Sequence, residues 1–399
     1  MTHTFRTPKR MVGLLLTCLL PLLAQAQNAL QATIDSLLSD STWQTAQVGI
    51  CIYDISADSM LYAYNAHQRM RPASTEKVVT AIAALDNLGP NHLMRTSCYT
   101  TGSVTDGVLT SDLWLAGGMD PTFAATQLQR LAGQLRAQGI DSIAGRLRFD
   151  LSMKDTLKWG WGWCWDDDNH TLTPLLYDRK PLAPAQVAAA LQKAGIRLAP
   201  AAFAATMRAE AMPPAARQRN PLAQTTTLLT EVLMPMMKES DNLYAESVFY
   251  QLAARTGRPW AGRKQAISLI HNTMKRAGIS PEAYNVADGS GLSLYNYQTP
   301  ATLTRLLTYA ARGSVIYPAL SQSLPIAAVD GTLKTRMTDT PAAGNVRAKT
   351  GTVTGVTSLA GYATRPDGHL VAFTIIVNGL QKGAPGRTLQ DNICVAICK

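Results

Sequence analysis

The chain has 399 residues, 46% apolar and 16% charged, which is material for a large core and for two to three domains. With 28 Gly and 21 Pro its composition is ordinary, excluding a collagen, a coiled coil or a disordered chain. The formal charge of +10 is gathered into no dense Lys/Arg run, so it argues for no nucleic-acid partner.

Residues 1–26 read as an export signal. Arg6, Lys9 and Arg10 form a basic head, and Met11 to Leu23 is an apolar run too short to span a bilayer. Ala24-Gln25-Ala26 then fits the small-x-small cleavage rule. The bland reading, a buried core helix, does not account for the three features in that order. Cys18 follows Leu15-Leu16-Thr17, a poor lipobox. No later stretch has 18 consecutive apolar residues, so the expectation is an exported, periplasmic protein with no integral membrane segment after cleavage.

Gln47 to Asp54 reads as a strand, with Met60 to Tyr64 as its hairpin partner. A helix starts near Ser74, after Pro72, and stops at Gly89-Pro90. From 91 to 220 short strand-like pieces alternate with turns, and Pro184 to Ala194 is a helix, which suggests a mostly β insert domain. After Pro221 the helical period returns: Leu228, Leu229, Val232, Leu233 and Met236 form one stripe. Helices over Leu243 to Arg255 and 264–278 follow, then strands Val346–Lys349, Thr357–Thr364 and Leu370–Asn378, and a short helix from about Thr388. Strands at both ends with helices between predict one α+β domain, in two parts (27–90 and 221–399), interrupted by the insert 91–220.

Beyond the signal, Cys51, Cys98, Cys164, Cys394 and Cys398 are odd in number, so one at least lacks an intrachain partner. Buried thiols are the expectation; a Cys394–Cys398 disulfide would strain the terminal helix. His67, His92, His170, His271 and His369 are scattered without ligand spacing, so no metal, cofactor or histidine base is expected.

Three short stretches carry the chemistry. Ser74 and Lys77 lie three apart on the first turn of a helix, where free N–H groups and the positive end of the dipole favour a nearby anion. An acylating serine needs such a base and such donors. Alone, the pair equally fits a helix-capping serine and a solvated lysine. Ser240-Asp241-Asn242 occupies a break between two apolar helices, where a plain helix cap is the bland reading. Lys349-Thr350-Gly351-Thr352 ends a strand, and Gly351 would admit a substrate backbone.

In this order the three stretches resemble the S-x-x-K, S-x-N and K-T-G triplets of the penicillin-binding serine acyltransferases. Ser240 follows Ser74 by 166 positions, unlike the compact class A β-lactamases. The long insert resembles the D-alanyl-D-alanine carboxypeptidase/endopeptidase family of the penicillin-binding protein 4 type. Leu115-Ala-Gly-Gly-Met-Asp-Pro-Thr122, Ala287-Asp-Gly-Ser-Gly-Leu-Ser293 and Val329-Asp-Gly-Thr-Leu333 resemble further segments of that family, and the likeness spans 40–380. The insert is smaller than in the largest relatives, and Leu294 stands where the family often has an arginine.

The resemblance implies a β-lactamase/transpeptidase-like fold and a peptidoglycan stem peptide ending in D-Ala-D-Ala. It implies Ser74 as nucleophile, Lys77 as base, Ser240 as proton relay and Asn242 as orienting group. It implies Lys349, Thr350 and Thr352 as holders of the terminal carboxylate, with the Ser74 and Thr352 amides as oxyanion hole. β-Lactams would act as covalent inhibitors. Asp241 reads as a helix cap and Glu76 as a first-turn acid suited to the dipole. Trp159, Trp161, Trp163 and Trp165 alternate and would share one strand face. They serve packing or, with Trp163 and Asp166 foremost, a cleft wall. A β-lactamase-like hydrolase and a non-catalytic penicillin- or peptidoglycan-binding module are the alternatives.

Overall fold

The computed structural model describes residues 29–167, 169–203 and 207–399; the predicted signal at 1–26 lies outside them. A helix at 29–38 (α1) leads to the hairpin β1 (Gln47–Asp54) and β2 (Ser59–Tyr64). The 3-10 turn Ala73–Thr75 opens directly into α2 (Glu76–Asn87). The inserted region contributes β3 (Leu93–Thr100), β4 (Leu113–Ala116), α3 (Ala125–Ala137), β5 (Leu147–Asp150), α4 (Pro184–Lys193) and β6 (Ala223–Leu228). Five helices follow: α5 (Leu229–Lys238), α6 (Asn242–Ala254), α7 (Arg263–Arg276), α8 (Pro300–Ala311) and α9 (Ile316–Ser323). The chain closes with β7 (Arg347–Val353), β8 (Val356–Thr364), β9 (Leu370–Asn378) and α10 (Gly383–Ile397).

The main sheet is antiparallel in the order β7-β8-β9-β1-β2, so strands from both ends of the chain meet at its centre, Gln47 opposite Asn378 and Asp54 opposite Val371. Because side chains alternate across a strand, β9 serves two cores at once. Val371, Phe373, Ile375 and Val377 face a cluster with Leu30 and Ile34 of α1 and Leu389 and Ile393 of α10. Ala372 and Ile376 face the other cluster, with Val79 and Ile82 of α2, Val248 of α6 and Leu303 and Leu306 of α8. A strand covered on both sides has no polar face to show, which is why β1 and β9 read as continuous apolar runs. Each fully buried Ile or Phe there contributes about 1.5–3 kcal/mol over exposure.

A second sheet, β6-β3-β4-β5, is antiparallel except for the parallel pair β4–β5. It shares a separate core with α3 and α4, where Leu128, Leu131 and Leu135 form the buried stripe of α3. Gln251 of α6 donates to the Gly118 carbonyl at 2.6 Å, and Asp120 accepts from the Thr122 amide and the Thr122 and Thr227 hydroxyls. The segment 115–122 thus fastens the insert to the helical layer.

Two expectations are corrected. The terminal helix starts at Gly383, five residues before Thr388. Gly383, Pro385 and Gly386 suggest a turn, yet Pro is tolerated in a first helical turn. Gly386 is required there, because a Cβ would lie 2.3 Å from Thr357 Oγ1 on β8. The tryptophan run forms turns, not a strand, with Gly162 at φ +79°. The five described cysteines are all free thiols, and Cys51, Cys98, Cys394 and Cys398 are buried.

Candidate active site

Three segments converge on the start of α2. Ser74 lies in the 3-10 turn that precedes the helix, and Ala73 adopts φ +48°, a conformation rare for a residue with a Cβ. The turn is tied down by Ser358 Oγ, which donates to the Pro72 carbonyl at 2.5 Å, and by Thr75 Oγ1, which donates to the same oxygen at 2.7 Å. Lys77, one turn on, is fully buried. Its Nζ lies 3.0 Å from Ser74 Oγ, 2.7 Å from Asn242 Oδ1 and 2.8 Å from the Ser290 carbonyl oxygen.

Asn242 and Ser240 come from the break between α5 and α6. Ser240 holds φ +63°, which turns its hydroxyl toward β7, and Asp241 caps α6 by accepting from the Tyr244 amide at 3.2 Å. Asp241 also pairs with Arg179 at 2.8 Å, a contact across to the insert that the capping role alone did not suggest. Lys349, fully buried on β7, donates to Ser240 Oγ at 2.8 Å and to the Thr350 carbonyl at 2.6 Å. Thr350 Oγ1 donates to Thr332 Oγ1 at 2.7 Å, so the stretch 329–333 abuts this strand. Thr352 lies two residues on and is exposed. A Cβ on Gly351 would lie 2.9 Å from the Ser74 amide nitrogen and 2.8 Å from the Pro72 carbonyl. Glycine is what lets β7 run this close to the Ser74 turn.

Burial sets the electrostatics. Desolvation pushes the Lys77 amine down to about 8, against the pull of the Asp288, Glu246 and Asp241 carboxylates. Lys349 is driven well below its ordinary value by burial and by the charge of Lys77. Glu246, also buried, is raised to about 8, first by desolvation and then by Asp288. Glu76 departs from its expected role. It stands in the first turn of α2 but is fully buried, its carboxyl accepts from Gln298 Nε2 at 3.0 and 3.2 Å, and burial raises its pKa well above the usual range, which favours the neutral form over the anion the dipole would suit.

Sequence reasoning singled out 287–293 by resemblance and Trp163 as a cleft-wall candidate, but gave no role to Asp288 or to the Ser290 carbonyl on the third side of the site. Asp288 accepts from the Gly291 amide (2.8 Å), the Ser293 amide (2.7 Å), Asn296 Nδ2 (2.7 Å) and Trp163 Nε1 (2.8 Å). Trp163 therefore reaches the loop that supplies the Ser290 carbonyl. Trp161 instead stacks on Tyr295 with centroids 4.5 Å apart, and Trp159, Trp161 and Trp165 are exposed. Asp166 is exposed in a turn where Cys164, Asp166 and Asp167 bring donor atoms within 4.8 Å of one another. The Cys164 amide donating to Asp167 Oδ2 accounts for that crowding. Leu294 is half-buried and its amide donates to the Gly162 carbonyl at 3.3 Å.

The chain is similar to known proteins over most of its length. The D-Ala-D-Ala carboxypeptidase 3 (S13) family matches residues 30–176 and 175–397. The chain is 28% identical to a D-alanyl-D-alanine carboxypeptidase of Actinomadura sp. (strain R39), over 95% of this chain and 87% of the relative. It is 32% identical to the carboxypeptidase DacB of Mycolicibacterium smegmatis, over 87% and 79%. Among solved structures it resembles penicillin binding protein 4 (dacB) of Haemophilus influenzae, with a TM-score of 0.78 and 25% identity over 90% of this chain and 98% of that one. A second structure of that protein is complexed with a novel β-lactam. The chain belongs to the D-Ala-D-Ala carboxypeptidase 3 (S13) family and is a serine-type D-Ala-D-Ala carboxypeptidase, a penicillin-binding hydrolase of the cell wall. Among the described residues no helix is long and apolar enough to cross a membrane.

Proposed function

We propose that Ser74 forms an acyl-enzyme with peptidoglycan stem peptides ending in D-Ala-D-Ala, and that Lys77 is its base. The observation that carries this reading is the set of three acceptors around Lys77 Nζ. A neutral amine has two N–H bonds and one lone pair. With Asn242 Oδ1 and the Ser290 carbonyl taking the two N–H bonds, the lone pair is left for the Ser74 hydroxyl. Lys77 takes that proton as Ser74 Oγ bonds to the penultimate carbonyl carbon. The Ser74 and Thr352 amides hold the oxyanion, and each such donor is worth about 10²–10³ in rate. Ser240, next to Lys349, passes its proton to the leaving D-alanine nitrogen as the peptide bond breaks and regains one from Lys77, which returns to the neutral amine. Water then hydrolyses the ester with the proton moves reversed.

Lys349, Thr350 and Thr352 hold the terminal carboxylate, with Gly351 leaving room for the substrate backbone. Trp163 stands behind the cleft wall, and Asp166 meets the stem peptide near the cleft mouth. When the bond attacked is the bridge between two stems, the same steps give endopeptidase action. Penicillin, which mimics the dipeptide, acylates Ser74 and inhibits. We read 27–90 and 221–399 as one transpeptidase-like domain and 91–220 as its insert; the separate cores of the two sheets support two units, and β6, paired with β3, carries the insert's sheet on to Leu228. The 1–26 segment supports export, and the periplasm is the proposed compartment.

Labelling with a fluorescent penicillin and mapping the modified peptide tests the reading. The expected result is a long-lived ester on Ser74, absent in Ser74→Ala. An ester on another side chain, or rapid turnover of the drug, would overturn it.

A further inference from the structure

The third partner of Lys77 is a backbone carbonyl, and its direction depends on what holds the peptides beside it. Glu246 Oε1 accepts from the Gly289 amide at 3.1 Å and the Ser290 amide at 2.9 Å. Thr80 Oγ1 of α2 donates to the Gly289 carbonyl at 2.8 Å, and Asp288 Oδ1 takes the Gly291 amide at 2.8 Å. The peptides on both sides of Ser290 are thus held by side chains. Glu246 lies four residues after Asn242 on α6, so the two share a face. One reaches Lys77 directly; the other reaches it through Ser290. A Cβ on Gly289 would lie 2.8 Å from the Ala245 carbonyl and 2.6 Å from Phe249 Cβ, so the loop is seated on α6 beside Glu246.

We propose that Glu246 is a positioning residue for acylation: by holding the Gly289 and Ser290 amides it fixes the Ser290 carbonyl, and so aims the Lys77 lone pair at Ser74. The inference rests on the reading of Lys77 as base. Glu246 is fully buried, an expensive place for a carboxyl that does nothing but fill space. The groups facing Lys77 are Glu246 and Asp241 from α6 and its cap, Asp288 from the loop and Lys349 from β7; those facing Glu246 are Asp288, Lys77 and Lys154.

The test is the second-order rate of Ser74 acylation by penicillin, followed against pH in the full chain, with thermal melting of each variant. Glu246→Ala removes the acceptor and lowers the rate about 10²-fold, the scale of a small misplacement of a reacting group. Glu246→Gln keeps an oxygen acceptor and recovers most of that loss. Burial raises the Glu246 carboxyl to about 8, so Gln reproduces the neutral, accepting form present below that pH, and the acid limb set by Lys77 stays in place. A Glu246 with only a packing role would be rescued as well by Glu246→Met, which fills the space without an acceptor for the Gly289 and Ser290 amides. A folded Glu246→Ala acylating at the wild-type rate overturns the inference, as does a folded Glu246→Met acylating as fast as Glu246→Gln; the latter decides the matter if the alanine variant does not fold. Lys77→Ala separates the two ideas. If it is inert while the Glu246 variants behave as wild type, this inference alone fails, whereas rapid acylation by Lys77→Ala removes the reading beneath it.

Discussion

Lys349 Nζ donates to Ser240 Oγ at 2.8 Å, joining the sheet edge at β7 to the break between α5 and α6. Ser240 holds a left-handed conformation at this contact, a strain of order 1–3 kcal/mol that the surroundings must offset. A buried lysine with only a hydroxyl and a carbonyl as partners has its pKa lowered by burial and lacks a counter-charge. The carboxylate terminus of a substrate would supply it. Lys349→Gln is therefore expected to lower kcat/KM for a D-Ala-D-Ala peptide about 10- to 150-fold, the worth of a charge-assisted hydrogen bond of about 1.5–3 kcal/mol. Blocking the substrate carboxylate as an amide should cost the wild type far more than the variant. Equal losses in both would remove Lys349 from carboxylate binding.

The state of Lys77 fixes the pH dependence. Burial lowers its pKa to about 8, and the reactive form is the neutral amine. The sign follows: below pH 8 the ammonium accumulates and acylation slows, about tenfold per unit. The rate should climb from pH 6 and level above about 8, read as the rate of ester formation with penicillin. Lys77→Arg, which stays charged in this range, should be inert at every pH. A flat profile between pH 6 and 9 would exclude Lys77 as the base.

Asp241 offers a prediction about stability. It caps α6 and pairs with Arg179 of the insert. Asp241→Asn keeps an oxygen for the cap and loses the ion pair, whose Arg179 partner is partly exposed, so about 0–1 kcal/mol is expected. Asp241→Ala loses both, and the cap alone is typically about 1 kcal/mol. Urea unfolding should rank wild type, Asn and Ala in that order. If Asn falls as far as Ala, the contact to Arg179 matters more than the cap.

What could be read from the sequence follows the physics of each part. β1 and β9 are legible end to end because strands covered on both faces need apolar residues throughout. The Ser74/Lys77, Ser240/Asn242 and Lys349 groups are legible because their chemistry lies in side chains, each with its own letter. The Ser290 carbonyl is not legible in that way, since every residue has one. Glu246 could have been found from its spacing of four from Asn242 on an apolar helix. The tryptophan run misleads because alternation is a strand signal only where the backbone is extended, and Gly162 at φ +79° turns it. Trp163 alone then points to Asp288, while its neighbours face solvent.

Gly351 is the position where fold and chemistry are hardest to separate, and a single methyl tests both. An added Cβ would lie 2.2 Å from Ser358 Oγ, 2.8 Å from the Pro72 carbonyl and 2.9 Å from the Ser74 amide nitrogen. The first of these is a hydroxyl that could rotate, but Ser358 already holds the Pro72 carbonyl, so its movement would release the Ser74 turn. The other two are backbone atoms of that turn and can yield only if β7 draws back. Gly351→Ala should cost about 1–3 kcal/mol through overpacking. It should slow acylation of Ser74 more than the loss of stability explains, because a folded fraction with a displaced turn has its oxyanion donors out of place. Melting temperature and penicillin acylation rate, measured on the same preparation, separate the two effects. If the variant melts lower but its folded fraction acylates at the wild-type rate, the close approach of β7 to Ser74 serves stability alone.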